Sequence, residues 1–151
     1  MKRFRFPLRP VAVLRAHREV RAREAFAASV QQYVDAEEAL GRARVRMRAL
    51  EAALFSGRGN TYRAAEAALL LADYRRECEG EAAAEKAVIE AREQMHKRRA
   101  DYLTAHQDLE VVHRLEEKAR TAHRRDCERE ESAELDDLAS RRRAKTFSLS
   151  L

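Results

Sequence analysis

The sequence has few residues that interrupt helices and few that build a large apolar core. It contains two prolines, four glycines and no tryptophan, and only 6% of its 151 residues are aromatic. Both prolines, Pro7 and Pro10, lie near the start. Because proline inside a helix removes a hydrogen bond and clashes with the preceding turn, about 140 residues after Pro10 are free to be helical. The scarcity of aromatic side chains argues against a compact globule, so the composition predicts long exposed helices.

The sequence also lacks the features of a disulfide-stabilised, exported or membrane-spanning chain. Its two cysteines, Cys78 and Cys127, have neither redox nor metal-ligand spacing, so we interpret them as free thiols in a reducing compartment. Charged residues follow the basic start before any long apolar region, which is unlike a signal peptide. No uncharged run approaches the roughly 20 apolar residues that a membrane span requires. We therefore expect a cytoplasmic protein without direct membrane insertion.

Residue patterns that carry catalysis or cofactor binding are missing as well. His106 and His113 share a helix face but stand too far apart to ligate one zinc ion. Gly57-Arg58-Gly59 lacks the lysine and the preceding strand of a phosphate-binding loop. The carboxylates of residues 130–137 need a desolvated pocket for acid–base catalysis, which two helices do not offer. The sequence thus predicts no enzyme activity, no cofactor and no metal site.

Charge is what the sequence has in abundance. Asp, Glu, Lys and Arg make up 38% of it, with 31 basic and 26 acidic residues interleaved in a way that is typical of solvated helix faces. The basic excess lies in residues 1–25 and in a second cluster at 141–145. These clusters make a nucleic-acid-binding helical arm one alternative, but the acidic residues threaded through both predicted helices argue against it.

A seven-residue repeat of large side chains predicts coiled-coil packing. In the first half the large residues alternate with smaller ones: Phe26, Tyr33, Leu40, Met47 and Leu54, with Ala22, Ser29, Ala36, Ala43 and Leu50. The expected partner repeat in the second half is Val88, Met95, Tyr102 and Leu109, with Ala91, Ala105 and Val112. A partner helix is expected to approach closely at the small residues.

The phase of both repeats is expected to change toward the ends of the chain. Val11 and Leu14 fall outside the first repeat, which indicates a stutter or a separate contact. The second repeat is predicted to shift near Leu115. Beyond it the predicted apolar series is Ala119, Ala122, Leu135 and Leu138.

Glycines divide the helical pattern. Gly57 and Gly59 suit the left-handed conformations that end a helix, and Asn60 or Thr61 suits the cap of the next one. Gly80 predicts a second weak point. We therefore predict one coiled-coil domain over residues 1–151, with a first helix over 11–54, a connection with a short helix over 55–81, a last helix over 82–144 and a tail over 145–151.

The predicted fold is all-α, a long two-helix antiparallel coiled-coil hairpin with a short helical segment at the connection. A parallel homodimer of extended chains is the alternative, but a continuous rod has no use for Gly57 and Gly59. The hairpin is expected to place Phe4, Arg5 and Phe6 near the 141–145 cluster, which concentrates positive charge at one tip.

Each end of the sequence carries a distinctive motif. The first is Phe4-Arg5-Phe6-Pro7-Leu8, followed by Val11, Leu14 and Arg15. The second is Leu109, Leu115 and Lys118, followed by the acidic stretch Glu130-Glu131-Ser132-Ala133-Glu134-Leu135-Asp136-Asp137-Leu138-Ala139. With these motifs the sequence resembles the FliJ family of the bacterial flagellar type III export apparatus. One departure is Ala133, where family members often carry a lysine.

This resemblance implies a coiled-coil stalk similar to that of rotary ATPases. It implies that the paired termini bind the hexameric export ATPase, and that the middle of the protein contacts the cytoplasmic domain of the membrane export gate, with export chaperones as further partners. The homologous stalk of a virulence type III secretion system and a plain structural tether are alternatives. The residues expected to bind the ATPase are Phe4, Phe6, Arg9, Leu135, Leu138, Arg141 and Arg142. Those expected to bind the gate are Tyr62, Leu69, Leu70 and Tyr74, for which packing within the hairpin is an equally good interpretation.

Overall fold

The computed structural model of the protein describes residues 3–56 and 63–148, with side chains as far as residue 142. Two helices account for almost all of these ranges: α1, Arg9–Ser56, and α2, Ala64–Ser148. They pack against each other, and the described ranges contain no strand. The all-α, two-helix prediction is therefore confirmed.

Local sequence accounts for where each helix begins. Pro10 lies in the first turn of α1, where a missing backbone N–H costs no intrahelical hydrogen bond. At the start of α2, the carbonyl of Arg63 accepts hydrogen bonds from the backbone N–H groups of Glu66, at 2.9 Å, and Ala67, at 3.2 Å. The carboxylate of Glu66 also lies in the first turn, where the helix dipole favours negative charge.

The predicted connection over 55–81 is wrong in most of its length. Residues 64–81 belong to α2, so a separate short helix and a break at Gly80 are both absent. A glycine costs about 1 kcal/mol in a helix interior, and strong helix formers on both sides of Gly80 offset that cost. The turn predicted at Gly57, Gly59, Asn60 and Thr61 lies outside the described residues.

The contacts group into two units, unit 1 with Met1–Glu19 and Ala105–Leu151, and unit 2 with Val20–Thr104. In unit 2 the helices run antiparallel, because Arg44 pairs with Glu85, at 2.9 Å, whereas the later residue Arg46 pairs with the earlier residue Glu77, at 3.0 Å. The predicted heptad residues of unit 2 face inward: Ser29, Ala43 and Met47 are buried, and the others are half-buried. That part of the coiled-coil prediction is confirmed, while a single domain over 1–151 stays a prediction.

In unit 1 the heptad phase continues, contrary to the predicted shifts. The inward positions of α1 are Ala12, Arg15 and Glu19, at the spacing of the first repeat, whereas Val11 and Leu14 are exposed. The inward positions of α2 follow the same logic: Leu109, Val112, Glu116, Ala119 and His123. Leu115, Ala122, Leu135 and Leu138, predicted as seam residues, are exposed. The apolar residues misled the prediction because the charged side chains of Arg15 and Glu19 occupy seam positions of α1 here, while Val11 and Leu14 face outward.

Candidate partner-binding surfaces

The first candidate surface is a cleft where the segment before α1 lies on α2. We call it the N-terminal cleft. Its lining residues are Phe4, Arg5, Phe6, Pro7, Arg9, Pro10, Glu116 and Arg120. It therefore combines two aromatic rings with three arginines and one carboxylate.

Phe4 attaches this segment to α2. Its ring centroid lies 5.5 Å from that of His123, with the rings tilted by 44°. The guanidinium of Arg120 also lies over the Phe4 ring, 5.8 Å from its centroid. At this distance a cation is attracted to the ring face. Arg120 is itself held by an ion pair of 3.1 Å with Glu116, one turn earlier in α2. The fixed proline torsions of Pro7 and Pro10 restrict the path of the chain between Phe4 and α1.

Unit 1 contains a polar seam next to this cleft. Arg15 donates a hydrogen bond of 2.7 Å from Nη1 to the main-chain carbonyl of Asp108, and its Nη1 lies 3.9 Å from the Asp108 carboxylate. The Glu19 carboxylate is buried and lies 3.9 Å from Nδ1 of His106. Polar contacts thus join α1 to α2 in the seam of unit 1, whereas in unit 2 the buried seam residues include the apolar Ala43 and Met47.

The structure does not bring the predicted tip together. Phe4 packs at His123, which precedes Arg141 by a helical distance of about 27 Å at 1.5 Å per residue. The reason is that α1 has 48 residues and α2 has 85, so the start of α1 lies beside Glu116 and Arg120 and α2 continues well past it. The expectation that Phe4, Arg5 and Phe6 adjoin the 141–145 cluster is therefore wrong, and the side chains of 143–145 lie outside the described ones.

The second candidate surface is the part of α2 that continues past the N-terminal cleft. We call residues 128–142 the C-terminal extension, and all of their side chains are exposed. Leu135 is 66% exposed and Leu138 is 55% exposed, while Arg141 and Arg142 follow one turn later. The ATPase-binding residues predicted from the sequence thus fall on two separate surfaces, with Phe4, Phe6 and Arg9 in the N-terminal cleft.

The residues predicted for gate contact differ in exposure. Tyr62 lies outside the described residues, and Leu69 is 67% exposed. Leu70 and Tyr74 are half-buried. The pKa of the Tyr74 hydroxyl is raised by the charge of Cys78 and a hydrogen bond to it, and then by the nearby carboxylate of Glu51 on α1. Tyr74 therefore lies near Glu51 of α1 within unit 2, and Leu69 is the most exposed of the three residues of this set that the structure describes.

Sequence reasoning missed three residues of the N-terminal cleft region: Glu116, Arg120 and His123. Glu116 and His123 stand seven and fourteen positions after Leu109, so strict continuation of the heptad would have identified them. Arg120 had no comparable signal, because its role depends on which residue of the N-terminal segment lies opposite.

Neither a metal-binding cluster nor a membrane span is found in the described ranges. Those residues contain no group of three or more His, Cys, Asp or Glu side chains that could hold a metal ion. Over the same part of the chain, neither helix contains a stretch that is long and apolar enough to cross a membrane.

Comparison with known proteins agrees with the helical architecture. The model of one protein family, described as flagellar FliJ protein, matches residues 4–146. No curated protein and no solved structure matches the chain. Since the family match spans nearly the whole sequence and both candidate surfaces, the protein belongs to the FliJ family, a non-catalytic family of the flagellar-type export apparatus.

Proposed function

We propose that this protein is the stalk that couples the hexameric ATPase of a flagellar type III export apparatus to the membrane export gate. It has no catalytic role in this proposal. Family membership supports the export role. The observation that carries the ATPase contact is the C-terminal extension, a helix whose described side chains are all exposed and include two leucines.

The C-terminal extension has the dimensions and chemistry of a segment that enters a ring. A single helix with its side chains is about 10–12 Å across, so it fits a narrower central hole than a pair of helices does. Leu135 and Leu138 supply apolar area that is favourable to bury, and Arg141 and Arg142 supply charge that orients the contact. A two-helix stalk would present no such narrow end.

The N-terminal cleft forms the second contact in this proposal. The cleft contains Phe4, Phe6 and Arg9, and it lies on α2 at Arg120 and His123. At 1.5 Å per residue, these two positions of α2 are about 20 Å from Leu135 and Leu138. The extension then enters the ring while the cleft contacts its rim. This arrangement replaces the single basic tip expected from the sequence with two contacts at different depths.

Leu69 and its neighbours on α2 form the proposed contact with the export gate. Leu69 is 67% exposed near the start of α2, so a partner that covers it removes its apolar area from water. Export chaperones are further proposed partners. In this role the protein is cytoplasmic and peripheral to the membrane base of the flagellum.

The test is an ATPase assay with the export ATPase from the same organism. We expect addition of the protein to increase the hexamer fraction and the hydrolysis rate. The double variant Leu135→Asp with Leu138→Asp is expected to lose both effects. The matched control, Val34→Asp with Val45→Asp, places two aspartates at exposed positions of α1 and is expected to behave like the unchanged protein.

Two results contradict the proposal at different levels. If the unchanged protein alters neither the hexamer fraction nor the hydrolysis rate, the stalk function fails. If the Leu135 and Leu138 variant stimulates as strongly as the unchanged protein, the extension is not the ATPase contact. Circular dichroism of each variant checks that the helical content is retained.

A further inference from the structure

Six exposed apolar residues of unit 1 form two groups with different electrostatic surroundings, and the exposed Leu8 and Val13 belong to neither group. The first group is Val11, Leu14, Val111 and Leu115, which we call the apolar patch. The second group is Leu135 and Leu138 in the C-terminal extension. Neither group belongs to the seam between the helices, so both leave apolar area in contact with water.

The apolar patch lies along one edge of the seam in unit 1. Its four residues occupy heptad positions c and g, which flank the seam positions of each helix. In an antiparallel pair, the g positions of the two helices meet along the same edge. The contacts of Phe4 with His123 and of Glu19 with His106 set the register, and between them they bring Val11 of α1 about level with Leu115 of α2. Leu14 and Val111 lie about one helical turn from that pair, both in the same direction along the edge.

Positive charge surrounds the apolar patch. Arg18, Lys118 and Arg125 are exposed, and none of them makes an ion pair with another residue that the structure describes. A shallow groove lined in part by Lys118, Ala122 and Arg125 continues from the patch along α2. The same groove is lined by Arg114 and Glu117, so its three basic side chains outnumber its one carboxylate, and Asp108 at the edge of the seam is engaged by Arg15. A partner helix for this edge therefore needs apolar side chains next to carboxylates.

The C-terminal extension has that composition. Glu131, Glu134, Leu135 and Leu138 follow the i, i+3, i+4, i+7 spacing that places residues on one face of a helix. All four are exposed, and within the described ranges Glu131 and Glu134 form no ion pair. Leu135 and Leu138 differ by one turn, a rise of about 4.5 Å, which matches the one-turn separation of the two levels of the apolar patch.

We propose that the free protein self-associates through these two surfaces, with the C-terminal extension of one copy lying on the apolar patch of a second copy. Leu135 and Leu138 cover the patch, and Glu131 and Glu134 lie beside Lys118 and Arg125. The extension cannot reach the patch of its own chain, because Leu115 of the patch and Leu135 both belong to α2 and stand about 30 Å apart along a continuous helix. The contact is small, so an affinity on the order of 100 µM is expected.

Self-association goes beyond the proposed stalk function and has a consequence for it. It covers Leu135 and Leu138 in the free protein, and those residues become available only when the copies separate. Experiments on the purified protein alone test the idea, so its failure leaves the ATPase contact untouched.

Sedimentation equilibrium over a series of protein concentrations is the first measurement. We expect the weight-average mass to rise above the monomer mass of 17.4 kDa with increasing concentration, and to fall back when the salt concentration is raised. The variant Leu135→Ser with Leu138→Ser is expected to remain monomeric. The control Val34→Ser with Val45→Ser is expected to associate like the unchanged protein.

A charge exchange identifies the two surfaces. Lys118→Glu with Arg125→Glu, and separately Glu131→Lys with Glu134→Lys, are each expected to lower the association constant at least tenfold. A mixture of these two variants restores complementary charge at both contacts, so the mixture is expected to associate again. The control pair Lys86→Glu with Lys97→Glu makes the same charge change in unit 2 and is expected to have no effect.

Three results would overturn self-association through these two surfaces. The first is a constant mass of 17.4 kDa at every concentration. The second is association that survives the loss of Leu135 and Leu138, because a different surface is then responsible. The third is a mixture of the charge variants that stays monomeric. Recovery of association in that mixture, by contrast, would show that both variants are folded and that the two charged surfaces meet.

Discussion

The carboxylate of Glu19 lies 3.9 Å from Nδ1 of His106, and Glu19 is only 8% exposed. Glu19 occupies a seam position seven residues before Phe26. Removing a carboxylate from water costs several kcal/mol before its interactions offset that cost. A polar contact thus joins the two helices of unit 1 at this position. We expect an apolar residue in place of Glu19 to make the folded protein more stable.

Glu19→Leu is expected to stabilise the protein by about 1 kcal/mol, because leucine adds apolar burial and removes the desolvation cost. His106 then remains in contact with water through its exposed side. Urea unfolding followed by circular dichroism measures the change. The control Glu24→Leu lies on the exposed face and is expected to stay within about 0.5 kcal/mol. A loss of stability in Glu19→Leu would show that the carboxylate is a net stabilising group.

Met47→Ala is expected to destabilise the protein by about 2–3 kcal/mol, since Met47 is buried in the seam of unit 2 and truncation leaves a cavity. Val45→Ala, two residues earlier on the outer face, is expected to change the free energy of unfolding by less than about 0.5 kcal/mol. The same unfolding assay compares them. Equal effects of the two substitutions would contradict the assigned inner and outer faces.

Phe26 and Tyr102 stack across the two helices of unit 2, with centroids 6.1 Å apart and planes within 10° of parallel. A double-mutant cycle with Phe26→Ala and Tyr102→Ala is expected to give a coupling of about 0.5–1.5 kcal/mol. Unfolding free energies of the two single variants and the double variant supply the cycle. Strict additivity would show that the rings do not interact in solution.

Gly80→Ala is expected to stabilise α2 by about 0.5–1 kcal/mol. An added Cβ meets no atom within 4 Å at this position, so the gain in helix propensity has no steric cost. The reverse change at a nearby exposed site, Ala83→Gly, is expected to cost a similar amount. Thermal unfolding measures both. Destabilisation by Gly80→Ala would indicate that the backbone bends there.

Alkaline pH is expected to remove the stabilising contribution of Tyr33. Its hydroxyl donates a hydrogen bond to Glu37, and this bond, followed by burial and the charge of Glu37, raises the pKa of Tyr33 above 10.0. A raised pKa in the folded state means that the native protein holds this proton more tightly than the unfolded chain does. The contribution is therefore present below pH 10.0 and lost as the pH rises through the folded-state pKa.

The measurement for Tyr33 is urea unfolding of the protein and of Tyr33→Phe at several pH values from neutral to alkaline. The difference in unfolding free energy between the two proteins is expected to be constant at neutral pH and to shrink above pH 10.0. A difference that grows with pH would contradict the assigned direction.

Sequence reasoning recovered the inner face of unit 2 because the physical signal there is local. Large and small residues at Phe26, Ser29 and Met47 recur with the heptad, and their burial follows from helix geometry alone. It failed at Gly80 because helix propensity is a weak preference that neighbouring residues override. It also failed in unit 1, where Arg15 and Glu19 occupy two seam positions of α1 and no large apolar residue of α1 marks the phase.

The candidate surfaces show the same division. Phe4, Phe6 and Arg9 were expected on a binding surface, and they do line the N-terminal cleft. The residues opposite them, Glu116 and Arg120, were missed. Which residue of α2 faces Phe4 depends on where α1 ends and α2 begins, and an error of several residues in either position changes which residues are opposite.

By itself, the sequence determined the helical fold, the apolar faces of unit 2 and the family, because each follows from residue types at short, regular spacing. Only the tertiary structure decided that Phe4 packs on His123 and that Leu135 and Leu138 lie exposed in the C-terminal extension. The physical reason is that helix formation depends on neighbouring residues. Which residues face each other across the seam depends instead on where each helix begins and ends.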